Sequence, residues 1–442
     1  MERREFLKYT AAAAGVAATA PLTAGRLAPN RSRSTTTAAS PVALSLLLNN
    51  GTLEVQRFQH IINQFEKANP GITVSVENIS DPQSFYTKIN VDGVAHTLPD
   101  VWYARTTDTS YDALKGWVLP LDSYIAKTPG FNVTDFWPAE QSQMRYNGKI
   151  YTLPWNFSVF VVYINKTIFK KAGVPLPSPN WTWPEFQATG LALQKGYPGP
   201  SHYAADITQL LYSYWGIEGP LQGNGGHLLS PDFKHATTTL KANVDLLNFF
   251  VELHSQGMVP NPDAFPSAVD PGAAGLEAMW VNGSWFVAEY PETIGDSFEW
   301  EMYPLPYGSI GKRGVTAIGG GFAVSATSKN PQEAFQLADW LTSTSGLDHV
   351  VADYLDSLPA RQSSMPDFLK AARDTKYAPA GMGNVVTESK GALPVGIPPY
   401  DIPLQTAVVN RLSAPIFTGS PVLKQLELLG SDIDVMIKEY YA

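Results

Sequence analysis

An apolar strand, an amphipathic helix and a second strand follow one another from position 41 of this chain. Residues 41–48 are almost all apolar, and residues 72–76 alternate between apolar and polar side chains, as strands do. Between them, apolar residues recur at helical spacing, at Phe58, Ile61, Ile62, Phe65 and Ala68. A strand–helix–strand unit is the typical opening of a parallel sheet, so the pattern predicts the α/β class.

The same alternation continues along the chain. Residues 158–164 are nearly all apolar, which predicts a strand covered on both faces. Thr182 and Glu185 have the spacing of a capping box and predict the start of a helix. Asn330 stands before Pro331 in the same way and is predicted to cap another helix.

The chain has 442 residues and no cysteine. This length is sufficient for two or three hydrophobic cores. The absence of cysteine excludes disulfides, thiolate metal sites, a cysteine nucleophile and a lipid-modified cysteine. The seven histidines are dispersed and form no zinc motif. The sequence therefore implies no cofactor and no metal.

The N-terminus has the pattern of an export signal. Arg3 and Arg4 precede an alanine-rich run that extends to about Ala24, and this order resembles a twin-arginine signal. We expect a signal peptide over residues 1–25, a Ser/Thr-rich tether over residues 26–40, and a location in the periplasm or at the cell surface. Without the six basic and two acidic residues of positions 1–40, the formal charge of −9 becomes −13. Such an acidic protein is a poor ligand for nucleic acid.

A series of short segments carries a resemblance to a known family. They lie in a fixed order at residues 64–72, 98–101, 116–122, 147–155, 163–174, 182–186, 282–285, 304–306, 319–325 and 358–361. In this order they resemble family 1 of the extracellular solute-binding proteins, the maltose-binding-like receptors of ATP-binding-cassette (ABC) sugar importers. The resemblance extends from residue 43 to about residue 365.

The resemblance implies a periplasmic-binding-protein-like fold of two α/β lobes, each a sheet flanked by helices. By analogy, residues 41–155 and 303–355 form the first lobe, and residues 156–302 and 356–442 form the second. The hinges would then lie near Trp155-Asn156, near Tyr303 and near Asp356. A ligand would bind in the cleft and close the lobes upon it, and domain interfaces are in general preferred ligand sites.

The resemblance also implies a non-enzymatic function. The protein would be a monomer that binds a sugar or oligosaccharide and delivers it to the membrane permease of an ABC importer. Two alternatives remain open from the residues. One is a receptor for a phosphorylated polyol or an organic anion. The other is a secreted glycoside hydrolase, which would need two carboxylates that face one bond.

Aromatic and amide side chains are suited to the apolar faces and hydroxyl groups of sugars. Trp155 and Asn156 follow a strand end where the family places ligand contacts, and Trp285 follows an Asn-Gly-Ser turn where the family has an aromatic platform. We therefore predict that these three residues contact the ligand. For either tryptophan, simple packing in the core is the alternative.

Other candidates lie where strands are predicted to end. Asn50 and Thr52 occupy the first strand-to-helix turn, where helix capping is the alternative role. Arg105 follows the strand that begins near Val101, and its guanidinium could bind two hydroxyls, a carboxylate or a surface acid. Asp206 is predicted to lie on a polar loop of the second lobe.

The run Gly319-Gly320-Gly321 lacks the Lys-Ser/Thr of a phosphate loop and does not open a helix. Three glycines in a row instead predict close approach of the backbone to a ligand or to a neighbouring strand, and Gly320 is the candidate for ligand contact. Arg361 matches a position from which the family often reaches the cleft, and a hinge-loop ion pair is its alternative role.

Overall fold

The structure is a computed structural model that describes residues 41–197, 202–266, 269–287, 289–344, 357–374, 381–394, 398 and 400–441. The predicted signal peptide and tether lie outside these residues. Within the described part of the chain, no helix has the length and apolar character needed to cross a membrane.

The strands, numbered in chain order, are β1 Val42–Leu48, β2 Ile72–Asn78, β3 Val101–Arg105, β4 Arg145–Tyr146, β5 Lys149–Ile150, β6 Thr152–Asn165, β7 Met279–Gly283, β8 Trp300–Pro304, β9 Thr316–Val324, β10 Leu358–Pro359 and β11 Leu393–Pro394. The helices are α1 Thr52–Ala68, α2 Pro82–Ala95, α3 Thr109–Leu114, α4 Asp122–Ile125, α5 Pro138–Gln143, α6 Lys166–Ala172, α7 Trp183–Gly196, α8 Thr208–Leu211, α9 Tyr214–Gly223, α10 Lys241–Ser255, α11 Tyr290–Ile294, α12 Pro331–Thr342, α13 Met365–Asp374, α14 Met382–Ser389, α15 Asp401–Thr418 and α16 Val422–Tyr441.

The predicted strand–helix–strand opening is confirmed. β1 pairs in parallel with β2 on one side and with β3 on the other. The apolar face of α1 is buried in the core through Phe58, Ile61, Ile62 and Phe65. The main sheet has the order β10-β6-β9-β3-β1-β2, with helices packed around it, as expected of the α/β class.

The long strand β6 connects two sets of strands. Its first half, Thr152 to Val159, pairs antiparallel with β9. Its second half pairs antiparallel with β7 and with β8. Since β9 also pairs with β3, β6 joins the strands around β9 and β3 to the strands β7 and β8.

The strand pairing bears on the predicted hinge near Tyr303. Tyr303 lies in β8 and is paired with Val162 in the far half of β6, so it belongs beside the second set of strands. The chain returns to the first set in β9, which begins at Thr316. The hinge near Tyr303 stays a prediction, and the predicted hinge near Asp356 lies outside the described residues.

The two predicted helix starts differ in how they are capped. Thr182 and Glu185 form the predicted capping box, in which the Thr182 N–H donates to Glu185 Oε2 at 2.7 Å and the Glu185 N–H donates to Thr182 Oγ1 at 3.4 Å. α12 begins at Pro331 as predicted, but the Asn330 side chain makes no capping hydrogen bond. Proline at the first position already fixes the backbone for a helix there.

Candidate functional site

A cavity of about 180 Å³ lies where β6 passes from one set of strands to the other. Residues from β3, β6, β9, α9 and the turn after β7 form its wall. They are Tyr103, Arg105, Thr107, Asn156, Ser158, Trp215, Trp285, Ile318, Gly319 and Gly320. The strands in this lining are β3, β6 and β9, and the turn after β3, the turn after β7 and α9 complete it.

The end of β3 forms one side of the cavity. Arg105 donates from Nε to Asp108 Oδ2 and from Nη2 to Asp108 Oδ1, both at 2.9 Å. Its guanidinium also lies 4.1 Å from the centre of the Tyr86 ring. The two-point ion pair holds the turn at Thr107 in place and compensates the positive charge of Arg105.

The backbone of β9 forms the floor. Asn156 Oδ1 accepts a hydrogen bond from the Gly320 N–H at 2.8 Å, at a point where the β6–β9 register is shifted by a bulge. A Cβ atom at Gly320 would lie 2.3 Å from Tyr103 Oη. The expected close approach at the glycine run is confirmed, because only a glycine lets the Tyr103 ring lie across this strand.

Aromatic rings form another part of the wall. The rings of Phe160 and Trp215 are stacked at 5.5 Å with an interplanar angle of 17°. Trp285 meets Phe160 edge-on at 5.7 Å, and Trp215 at 6.4 Å. A Cβ atom at Gly283 would lie 2.0 Å from the Trp285 ring, so this glycine leaves the space that the indole fills. Both tryptophans are half-buried and retain surface toward the cavity.

Four of the predicted residues meet at this cavity, namely Arg105, Asn156, Trp285 and Gly320. Trp155 lies elsewhere, although it neighbours Asn156 in sequence. Successive side chains of a strand point to opposite faces, and Trp155 is only 2% exposed. It packs in the hydrophobic core against Phe58, at 4.9 Å between ring centres.

The first strand-to-helix turn lies outside the cavity lining. The Asn50 N–H donates to Asn78 Oδ1 at 3.1 Å, and Asn78 Nδ2 donates to the Asn50 carbonyl oxygen at 3.0 Å. These bonds tie the end of β1 to the end of β2. Thr52 is the first residue of α1.

Asp206 and Arg361 are also held away from the cavity. Asp206 accepts hydrogen bonds from the Thr208 N–H and hydroxyl at 2.8 and 2.9 Å, and burial raises its pKa. Arg361 is buried, donates from Nε to the Thr342 carbonyl oxygen at 2.7 Å and pairs with Asp135 at 3.6 Å. The pKa of Arg361 is lowered by burial. The ion pair that was the alternative role for Arg361 is therefore the one observed.

Six lining residues were not predicted from the sequence, namely Tyr103, Thr107, Ser158, Trp215, Ile318 and Gly319. Tyr103 could have been found, because it lies two residues before Arg105 and shares its face of β3. Thr107 has a buried hydroxyl without a hydrogen-bond partner among the described residues. No sequence pattern could have predicted Trp215, because its position depends on where α9 packs. No group of three or more metal-ligating side chains occurs in the described part of the chain.

Comparison with known proteins identifies the class to which this fold and cavity belong. The chain belongs to the bacterial extracellular solute-binding protein family, which matches residues 51–347. The maltodextrin-binding protein MdxE of Bacillus subtilis (strain 168) is 25% identical over 309 residues, which cover 68% of each chain.

Two solved structures are similar in fold. The ABC substrate-binding protein Lmo0181 from Listeria monocytogenes, in complex with cycloalternan, has a TM-score of 0.80 at 19% identity, covering 90% of this chain and 100% of that one. UgpB from Mycobacterium tuberculosis, in complex with glycerophosphocholine, has a TM-score of 0.76 at 19% identity, covering 92% and 100%. The fold is thus the two-lobe α/β fold of solute-binding proteins, with a cleft between the lobes.

Proposed function

We propose that this protein is the extracytoplasmic receptor of an ABC importer and binds a neutral sugar or oligosaccharide in the interlobe cleft. The observation that carries this proposal is the cavity lining, which combines the aromatic residues Tyr103, Trp215 and Trp285 with the polar residues Asn156 and Ser158. Aromatic faces and short polar groups are complementary to sugar rings and their hydroxyls. The named ligands of the relatives above include a maltodextrin and cycloalternan.

The charge of the cavity favours a neutral ligand over a phosphorylated polyol or an organic anion. Among the residues that the structure describes, Arg105 is the single basic residue in the lining, and Asp108 holds it in a two-point ion pair. Arg361, which could have joined it, is bound to Asp135 outside the lining. An anion would therefore have to compete with an existing carboxylate for the guanidinium.

The experiment that tests the function is a thermal-shift screen against mono- and oligosaccharides, with glycerophosphocholine and organic anions as the second arm. Binding stabilises the folded protein by about 2.7 kcal/mol at a ligand concentration a hundred times Kd. We expect saccharides to raise the melting temperature. If only the anions raise the melting temperature, the ligand is an anion and not a sugar.

We expect the protein to bind oligosaccharide without hydrolysing it. None of the described residues in the cavity lining is a carboxylate, whereas glycoside hydrolysis requires an acid and a base or nucleophile. Incubation of stoichiometric protein with bound oligosaccharide for hours, followed by chromatography, should show no new reducing ends. New ends that disappear in carboxylate variants would indicate a glycosidase.

We propose export in folded form by the twin-arginine route, because Arg3 and Arg4 precede an alanine-rich run. Replacing both arginines by lysine is expected to leave the precursor in the cytoplasm, as seen by fractionation and immunoblotting. Normal export of the double variant would refute the route, while secretion by another path would remain consistent with the receptor function.

We also propose that the receptor is a monomer whose lobes close on the ligand, with crossings in β6 and in β9. A ligand that contacts both lobes binds the closed state more tightly and shifts the population toward it. Small-angle scattering should show a smaller radius of gyration at saturation, with a mass of one chain. An unchanged radius would mean that the cleft is already closed or that the ligand binds elsewhere.

A further inference from the structure

Glu140, in α5, lies beneath the floor of the cavity and is completely buried. Its carboxyl faces Gly319, since a Cβ atom on that glycine would lie 2.7 Å from Glu140 Oε2 and 2.5 Å from the Asn156 carbonyl oxygen. Gly319 lines the cavity and is paired with Phe157 of β6. The carboxyl therefore packs from behind against the strand pair that forms the cavity floor.

The surroundings of this carboxyl are suited to its neutral form. Among the described residues, neither oxygen of Glu140 receives a hydrogen bond. The Thr106 hydroxyl lies 2.9 Å from Gln143 Oε1 and 3.1 Å from the Gly319 carbonyl oxygen, and these two acceptors share its single proton. A buried carboxylate without donors is strongly unfavourable. Burial accordingly raises the pKa of Glu140 to about 8, with Thr106 as a smaller opposing influence.

The charged groups on the segments packed against α5 do not compensate a charge on Glu140. After β3, Asp108 is paired with Arg105. Before α5, Asp135 is paired with Arg361. In β4, Arg145 donates to the Gly148 carbonyl oxygen at 3.1 Å, and Tyr146 is the other titratable group. β9 and β11 contain no titratable side chain.

We propose that Glu140 is a proton-dependent positioning residue of the ligand cavity: its neutral carboxyl supports the β6–β9 floor, and its ionisation loosens that floor and weakens ligand binding. The effect on affinity rests on the proposed function, whereas the effect on the floor does not. The free-energy cost of a negative charge at Glu140 falls only if water or a hydrogen-bond donor reaches the carboxylate. Separation of β6 from β9 at Asn156 and Gly319 provides that access and distorts the cavity.

Binding of a ligand excludes water from the floor and so favours the neutral carboxyl further. The affinity of the receptor should therefore fall as the pH rises above about 8, where the free protein loses the proton. Below that pH the neutral form dominates in both states, and the affinity should be independent of Glu140 ionisation.

The test compares the full chain with its Glu140→Gln variant, which keeps the shape and cannot ionise. Hydrogen exchange of the ligand-free proteins is followed by mass spectrometry in peptides that cover residues 152–159 and 316–324. Taking the ratio of wild-type to variant rates cancels the intrinsic acceleration of exchange by base. We expect the wild type to exchange at about the same rate as the variant at pH 7 and at least ten times faster at pH 9.5. A ratio within twofold at both values would overturn the proposal.

Titration with maltotriose over the same pH range forms the second arm. We expect the dissociation constant of the wild type to rise at least tenfold from pH 7.5 to 9.5 and that of Glu140→Gln to stay within twofold. An equal rise in both proteins would overturn the proposal. Should maltotriose bind neither protein at pH 7, the exchange ratio alone decides the role of Glu140. If the variant does not fold, the wild type alone is used. Exchange in its peptides over residues 152–159 and 316–324 is then compared with exchange in its peptides over β1 and β2, and this ratio decides the role of Glu140.

Discussion

Trp155→Ala is expected to lower the free energy of unfolding by about 3–5 kcal/mol, the usual cost of removing a large aromatic side chain from a core. The indole is 2% exposed, and its ring lies 4.9 Å from Phe58 and 6.4 Å from Phe322. Its removal leaves a cavity between α1, β6 and β9. Urea denaturation followed by circular dichroism measures the loss.

Ligand affinity separates this role from the one predicted from the sequence. The fraction of Trp155→Ala that remains folded should bind within a few-fold of the wild type, because the ring lies outside the cavity lining. A large loss of affinity with little loss of stability would show that Trp155 contacts the ligand, as the family resemblance implied.

Trp285→Ala is expected to show the opposite pattern. Trp285 is half-buried, lines the cavity and is positioned edge-on against Phe160 and Trp215. Removing an aromatic platform from a binding site costs about 2 kcal/mol or more. Affinity should therefore fall about thirtyfold, since each 1.4 kcal/mol is a factor of ten. Calorimetric titration with a saccharide from the thermal-shift screen measures the change.

Trp340→Ala is the matched control for Trp285→Ala. Trp340 is also half-buried, but it packs on Phe65 at 5.9 Å and donates to the Ile61 carbonyl oxygen at 3.3 Å, outside the cavity lining. We expect this variant to lose stability and to retain its affinity. Equal losses of affinity in both variants would mean that general loosening, and not loss of a platform, explains the Trp285 result.

Local patterns were sufficient to predict the start of the fold. The strand–helix–strand unit depends on residues close in sequence, and the spacing of Phe58, Ile61 and Phe65 already defines the buried face of α1. The same holds for the Thr182 capping box, whose partners are three residues apart. The close approach at Gly320 could also be predicted, because a glycine run in a strand indicates a neighbour that leaves no room for Cβ.

The composition of the cavity depends on contacts that no local pattern contains. Trp155 and Asn156 are adjacent, and whether one or the other faces the cleft depends on the bulge in the β6–β9 register. Arg361 has an ion-pair partner, Asp135, far away in sequence, so its burial could not be inferred from its neighbours. The position of Glu140 could not be inferred from its neighbours either, because nothing in the sequence of α5 indicates that its carboxyl lies against Gly319.

We propose that the cavity at the crossing of β6 and β9 binds a neutral saccharide. A crystal structure of the protein with the saccharide that gives the largest thermal shift shows whether it does. We expect a sugar ring against the cavity faces of Trp215 and Trp285, with hydroxyls bonded to groups such as Asn156 and Ser158. A saccharide bound at another surface, with this cavity empty of ligand, would contradict it.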